Sequence, residues 1–268
     1  MTSVTQGGGA ELRGVRVLVT GASGGIGRAM AEALVGAGAA VAVTGRDLGR
    51  AETAAAGMAG GPGWAIGLAM DVRDEDQVER GVARAVERLG GLDVLVNNAG
   101  LGMRTVNPRF LTDPRPFWEV SHRAFADVID TNLTGYFLVA RAVVPHLLKA
   151  GRGRIVNVTM NHSTMVRRGF VPYGPSRAAT ESLSRIMEAD LAGTGISVNM
   201  LLPGGPTLTG MIPDELTPEV RALLLPASVM AAPILWLCSA AAEGVSGERI
   251  VASEFVGWLA AREGPATP

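Results

Sequence analysis

The sequence is short of several residue types, and each shortage removes a class of function. A single cysteine, Cys238, allows no internal disulfide and no cysteine-based zinc cluster. That suits a reducing compartment, so a cytoplasmic protein with no metal is expected. Charged residues make up 18% of the chain and leave a formal net charge of −1. There is therefore no electrostatic case for a nucleic-acid or anionic-membrane partner. No run of about 20 apolar residues escapes interruption by charge, glycine or proline, so no transmembrane span is expected. The polar, Gly-rich start (MTSVTQGGGAELRG) lacks the apolar stretch of a signal peptide. Aromatic residues reach only 4%, and Lys149 is the only lysine, arginine supplying the rest of the positive charge.

What is abundant is apolar sequence: 47% hydrophobic residues over 268 positions, enough to fill the core of one α/β domain. Short β-branched runs at Val15–Val19, Ala40–Thr44, Trp64–Leu68, Val94–Val96, Arg154–Thr159, Ile196–Leu202 and near Arg249–Val251 read as strands. Between them lie amphipathic segments at about Gly25–Gly36, Gly49–Ala59, Glu75–Leu89, Phe125–Ala150, Tyr173–Ala192 and Pro226–Ala240. Near-continuous apolar strands separated by helices indicate a parallel sheet covered on both faces. No repeat or linker divides the chain. The expectation is one Rossmann-type, doubly wound α/β domain over residues 13–260, with a seven-stranded parallel sheet and flexible tails at 1–12 and 261–268. One stretch breaks the rhythm: between Gly100 and about Ala124 lie three prolines, four arginines, Phe110, Phe117 and Trp118. A connection this long in a compact domain is usually functional or disordered.

The first strand runs into Thr20-Gly21-Ala22-Ser23-Gly24-Gly25-Ile26-Gly27, and a helix follows. Glycines in such a turn let the backbone approach a pyrophosphate, whose charge then meets amide N–H groups at the helix N-terminus. The spacing Gly21-x-x-x-Gly25-x-Gly27 resembles the fingerprint of the short-chain dehydrogenase/reductase family. Asp71-Val72, Asn97-Asn98-Ala99-Gly100, Asn132 in Thr131-Asn132-Leu133-Thr134-Gly135, Tyr173, Val198-Asn199 and Pro203-Gly204 match further family elements in family order, over about residues 13–252.

The resemblance implies a nicotinamide dinucleotide held by Gly21, Ser23, Gly24, Gly25, Ile26, Gly27, Asp71, Val72, Asn98, Ala99, Gly100, Tyr173, Arg177, Pro203 and Gly204, with Thr207 or Thr209 on the carboxamide or a phosphate. Members that prefer NAD carry an aspartate at the place of Gly45. Here Gly45-Arg46 leaves space and offers a guanidinium fork suited to a 2′-phosphate, so NADP(H) is the expected cofactor.

Family chemistry moves a hydride between nicotinamide and a carbonyl or alcohol while a tyrosine, here Tyr173, acts as acid/base. The resemblance gives Asn132 a part in the proton relay. Two of the four catalytic positions depart from the pattern. Four residues after Tyr173 stands Arg177 where a lysine is usual, and thirteen before it stands Met160 where a serine is usual. Arginine keeps the positive charge but cannot pass a proton, and a thioether donates no hydrogen bond. Ser163 or His162, in the loop after the fifth strand, are the candidate replacements for the missing donor.

These departures keep two alternatives open. One is a cofactor-binding sensor or partner subunit with little redox activity; the other is a reductase of C=N or C=C bonds. A small-molecule substrate is expected in every enzymatic case. By analogy with the family, a homodimer or homotetramer pairs through the long helices around 125–150 and 173–192.

Overall fold

Alternation along the first strand, β1 (Arg16–Val19), sets the architecture: Val17 and Val19 join one apolar core and Leu18 between them joins the other. Side chains of a strand point to opposite faces in turn, so a strand apolar at every position must be covered on both sides. All three are sealed from solvent, each contributing about 1.5–3 kcal/mol of burial. The computed structural model describes residues 11–213 and 216–263. Its elements run β1, α1 (Gly25–Gly36), β2 (Ala40–Gly45), α2 (Leu48–Ala56), β3 (Trp64–Ala69), α3 (Glu75–Leu89), β4 (Val94–Asn97), α4 (His122–Ile129) and α5 (Gly135–Ala150). They continue with β5 (Gly153–Val158), α6 (His162–Met165), α7 (Tyr173–Asp190), β6 (Ile196–Leu202), α8 (Pro218–Ala222), α9 (Ala231–Cys238), β7 (Arg249–Val251) and α10 (Phe255–Glu263).

The sheet has seven parallel strands in the order β3-β2-β1-β4-β5-β6-β7, the doubly wound arrangement expected. One core lies under α1, α9 and α10 and includes Met30, Leu34, Val156, Leu201, Ile234 and Phe255. The other lies under α3, α5 and α7 and includes Val78, Val82, Leu95, Val139, Val143 and Ile155. Strand order reverses direction between β1 and β4, which opens a crevice at their carboxyl ends where doubly wound folds take ligands.

Several boundaries differ from the expectation. The helix expected over Phe125–Ala150 is α4 and α5 joined by a π-helical turn, Asp130–Thr134. That extra residue per turn aims Asn132 at the β4 loop, and such turns gather at functional sites. Asp47 caps α2 by accepting from the Arg50 N–H at 2.8 Å, which starts that helix one residue early. The stretch expected as a helix from Pro226 begins as a 3-10 turn, Ala227–Met230, before α9.

Residues 1–10 and 264–268, the bulk of the expected tails, lie outside the described residues. Leu12, assigned to the first tail, is buried in the core and donates its N–H to the Ala37 carbonyl at 2.7 Å. Residues 261–263 complete α10. Among the described residues no helix is long and apolar enough to cross a membrane.

Candidate active site

Above the carboxyl ends of β1 and β4 lies a cavity of about 1060 Å³. The turn after β1 forms its floor. Gly21 and Gly25 sit at φ +64° and +59°, a left-handed conformation that only glycine adopts freely. A Cβ on Gly21 would stand 2.7 Å from the Cα of Ala99, and one on Gly27 would run into the Asn98 amide. Asn98 braces this turn: Nδ2 donates to the carbonyls of Thr20 and Gly21 at 2.8 and 3.2 Å. In return the Thr20 hydroxyl accepts from the Asn98 and Ala99 N–H groups. No side chain caps α1 at Gly24, so the positive end of the helix and its unpaired N–H groups are offered to an anion. A cradle that any side chain would fill fits a dinucleotide pyrophosphate. Ser23, Gly24, Ile26, Ala99 and Gly100 line the cavity with it.

One end of the cavity is rich in arginine. Arg46, Arg50 and Arg73 line it together with Gly45, Asp71 and Val72. Arg73 grips Asp71 with a two-pronged bond, Nε to Oδ1 at 3.0 Å and Nη2 to Oδ2 at 2.7 Å. That bond holds the Asp71 carboxyl below the usual carboxylate range, with the Arg46 charge adding to the effect. Arg50 and Arg73 carried no sequence signal, because a surface arginine obeys no periodicity.

Near the centre of the cavity, α7 opens with Tyr173, half-buried, and carries Arg177 one turn later on the same side. Arg177 is 3% exposed. Its Nη1 donates to the Tyr136 hydroxyl at 2.8 Å and to the Val158 carbonyl at 3.0 Å. Its guanidinium carbon lies 5.4 Å from the Tyr136 ring centre and 5.5 Å from that of Tyr173. These are the only two tyrosines in the chain. Burial works against the Arg177 charge, but the two tyrosine oxygens outweigh it and raise the pKa above the ordinary arginine value. The cation is permanent. Its Nη2 leans on Gly100, where a Cβ would collide with it, and its buried Nε has no acceptor among the described residues. An orphaned donor beside the cradle fits a ribose oxygen.

Asn132 does not reach this space. It is fully buried, lies outside the cavity lining, and uses its amide on the main chain of Leu101, accepting at 2.8 Å and donating at 3.0 Å. Its Nδ2 also donates to Ser176, and its carbonyl accepts from the Thr180 hydroxyl at 3.0 Å. Asn132 thereby holds the Gly100-Leu101 turn in place. Pro203, Gly204, Thr207 and Thr209 close the cavity from the β6 side. A bridge between Thr207 and Leu225 joins the stretch after β6 to the stretch after α8, with Leu208 N–H donating to the Leu225 carbonyl at 2.8 Å.

The family model described as short chain dehydrogenase matches residues 15–219. The chain belongs to the short-chain dehydrogenase family. It is 36% identical over 194 residues to the gluconate 5-dehydrogenase of Gluconobacter oxydans, covering 72% of each protein. Over 249 residues it is 30% identical to the 3-oxoacyl-(acyl-carrier-protein) reductase FabG of Aquifex aeolicus, covering 90% of this chain and 96% of that protein. The crystal structure of a 3-ketoacyl-(acyl-carrier-protein) reductase from Brucella melitensis complexed with NADH matches at 26% identity with a TM-score of 0.79, covering 90% of this chain and 97% of that one. The protein is a dehydrogenase/reductase of this family.

In the loop after β5, Met160 is 8% exposed and packs with Met103, Phe110 and Phe170. Ser163, the candidate replacement donor, is exposed and does not line the cavity. The single turn of α6 is the reason: Asn161 and Thr164, three residues apart, share the inner side and do line it, which turns Ser163 outward. His162 also faces away, its Nε2 2.8 Å from Glu181 Oε2.

Glu181 on α7 gathers this loop. It accepts from the Thr159 hydroxyl at 2.9 Å and from Arg249 Nε at 2.9 Å, and Arg249 Nη2 holds the Met160 carbonyl at 2.7 Å. Burial opposes the Glu181 charge, yet the bonds from His162, Arg249 and Thr159 prevail and lower its pKa. The long 101–121 segment forms the remaining wall. Arg104 Nη1 donates to the Ile212 carbonyl at 3.0 Å and so joins this segment to the stretch after β6. Arg109 pairs with Asp113 at 3.2 Å. Among the described residues no cluster of three or more His, Cys, Asp or Glu is arranged to hold a metal.

Proposed function

We propose that this short-chain dehydrogenase is NADP(H)-dependent and interconverts a carbonyl and an alcohol, with Tyr173 as the acid/base. The observation that carries the reading is the pairing of a half-buried Tyr173 with the permanent cation of Arg177 beside the glycine cradle. When bound, the nicotinamide supplies or accepts the hydride. The Tyr173 hydroxyl gives its proton to, or takes it from, the substrate oxygen. Arg177 holds positive charge next to that hydroxyl and offers Nε and Nη2 to ribose oxygens. It cannot carry the proton onward, so proton exchange with solvent runs from Tyr173 through the open cavity rather than through residue 177.

Preference for the 2′-phosphate is supported by Gly45, which carries no carboxylate, and by Arg46 and Arg50 lining the same end. Titration of both cofactors tests it: NADPH is expected to bind at least tenfold more tightly than NADH, and equal affinities would reject it. Tyr173→Phe is expected to abolish turnover while leaving cofactor affinity within a few-fold.

A second reading, binding without ordinary turnover, is favoured by Met160, which puts a thioether where a donor to the substrate oxygen is usual. Turnover at rates of about 1 s⁻¹ or more on any carbonyl would reject it. In solution we expect a cytoplasmic homodimer or homotetramer. Exposed Phe137 and Leu148 on α5 and Ile186 on α7 support pairing through these helices, and light scattering on the purified protein tests it.

A further inference from the structure

Beyond Tyr173 the cavity changes character. Met103, Phe110, Met160 and Phe170 form a buried cluster, and Leu111 and Tyr173 pack against it. Phe110 meets Phe170 edge to face at 5.6 Å between ring centres, which fixes both rings as a wall. The polar groups here are few: Asn161, whose Nδ2 is already committed to the Gly204 carbonyl at 2.8 Å, Thr164 and Tyr173 itself. A substrate with many hydroxyls would lose its water partners in this space without replacement.

One charged side chain, itself exposed to solvent, borders the hydrocarbon end. Arg167 lines the cavity and lies over the Phe170 ring, its guanidinium carbon 5.1 Å from the ring centre. Among the described residues it makes no ion pair, unlike Arg109, which pairs with Asp113. Stacking on a ring occupies the flat face of a guanidinium and leaves its in-plane N–H donors free, which suits two-pronged capture of a carboxylate.

We infer that the substrate is a ketone or secondary alcohol on a mainly hydrocarbon frame bearing one carboxylate, and that Arg167 reads that carboxylate while Met103, Phe110, Met160 and Phe170 hold the frame. The inference rests on the proposed function for the placing of the reacting carbon beside Tyr173. It makes Arg167 a specificity-determining residue rather than a catalytic one. It also gives the Met160 departure a purpose: a hydrocarbon frame packs on a thioether better than on a hydroxyl.

The test is calorimetric titration of the protein saturated with NADP⁺, using a keto-decalin carboxylate, its methyl ester and a six-carbon polyhydroxy acid. The keto acid is expected to bind at least tenfold more tightly than either other probe. Arg167→Gln is expected to lower its affinity about tenfold, to the level of the ester, without changing the ester. An ester that binds as tightly as the acid, or a polyhydroxy acid that binds best, would overturn the inference. A parallel assay of NADPH consumption separates this outcome from the fate of the proposed function. Selective binding of the keto acid with no NADPH consumed supports the inference and removes carbonyl reduction. Consumption of NADPH at equal rates with the keto acid and its methyl ester, bound equally well, does the reverse.

Discussion

The Arg177 guanidinium donates through Nη1 to the Tyr136 hydroxyl at 2.8 Å, and both side chains are sealed from solvent. The Tyr136 hydroxyl donates onward to the Val158 carbonyl at 3.2 Å, so the arginine is moored to the end of β5 by two routes. One arm of the arginine is thereby held by the core, and Nη2 faces Gly100 at the cavity wall. Tyr136→Phe removes the acceptor and leaves a buried charged donor short of a partner. A loss of about 1–3 kcal/mol is expected in urea or guanidinium unfolding. An unchanged midpoint would show that the bond contributes nothing.

Met160→Ser tests what the thioether costs the chemistry. An added hydroxyl near the substrate oxygen is expected to raise carbonyl turnover tenfold or more, since such a donor is commonly worth about 10²–10³ in rate. The same change opens a hole beside Phe110 and Phe170, and a stability loss of about 2 kcal/mol or more is expected. A stable variant with no gain in rate would mean that residue 160 does not face the reacting oxygen.

Gly45→Asp is expected to reverse cofactor preference toward NADH. A Cβ at Gly45 comes nearest to Ser23 Oγ, at 3.2 Å, and a serine hydroxyl can rotate aside. The new carboxylate repels a 2′-phosphate and accepts from ribose hydroxyls. Arg46→Ala alone is expected to weaken NADPH binding about tenfold and leave NADH unaffected, as read by quenching or calorimetry.

Glu181 gives a pH signature. Its folded pKa lies below the ordinary 4.5 because the bonds it accepts outweigh burial. The stability it contributes is therefore complete above the unfolded value and is lost as pH falls through the lower folded one. Wild type and Glu181→Gln should differ in melting temperature at neutral pH and converge in that acid range. A difference that persists unchanged to the most acid point measurable would remove the carboxylate from the account.

The sheet and the cradle were legible because their signals are local. Glycine spacing and strand alternation act within a few residues, and every residue assigned to the cofactor lines one cavity. The packing of the loop after β5 was not legible. Arg249 and Glu181 are 68 positions apart, and no spacing rule connects them. Sequence distance alone makes Ser163 a substitute for Met160. The single turn of α6, which favours residues 161 and 164, decided otherwise. Asn132 matched its motif, yet the π-helical turn carries its amide to Leu101 and away from the cavity.

Arg249 stands on β7, the last strand of the sheet, and its two nitrogens fasten Glu181 and the Met160 carbonyl. Strand β7 is thus a tie-rod for the loop that walls the reaction space. A shift of this edge strand is transmitted to the substrate side through the Met160 main chain.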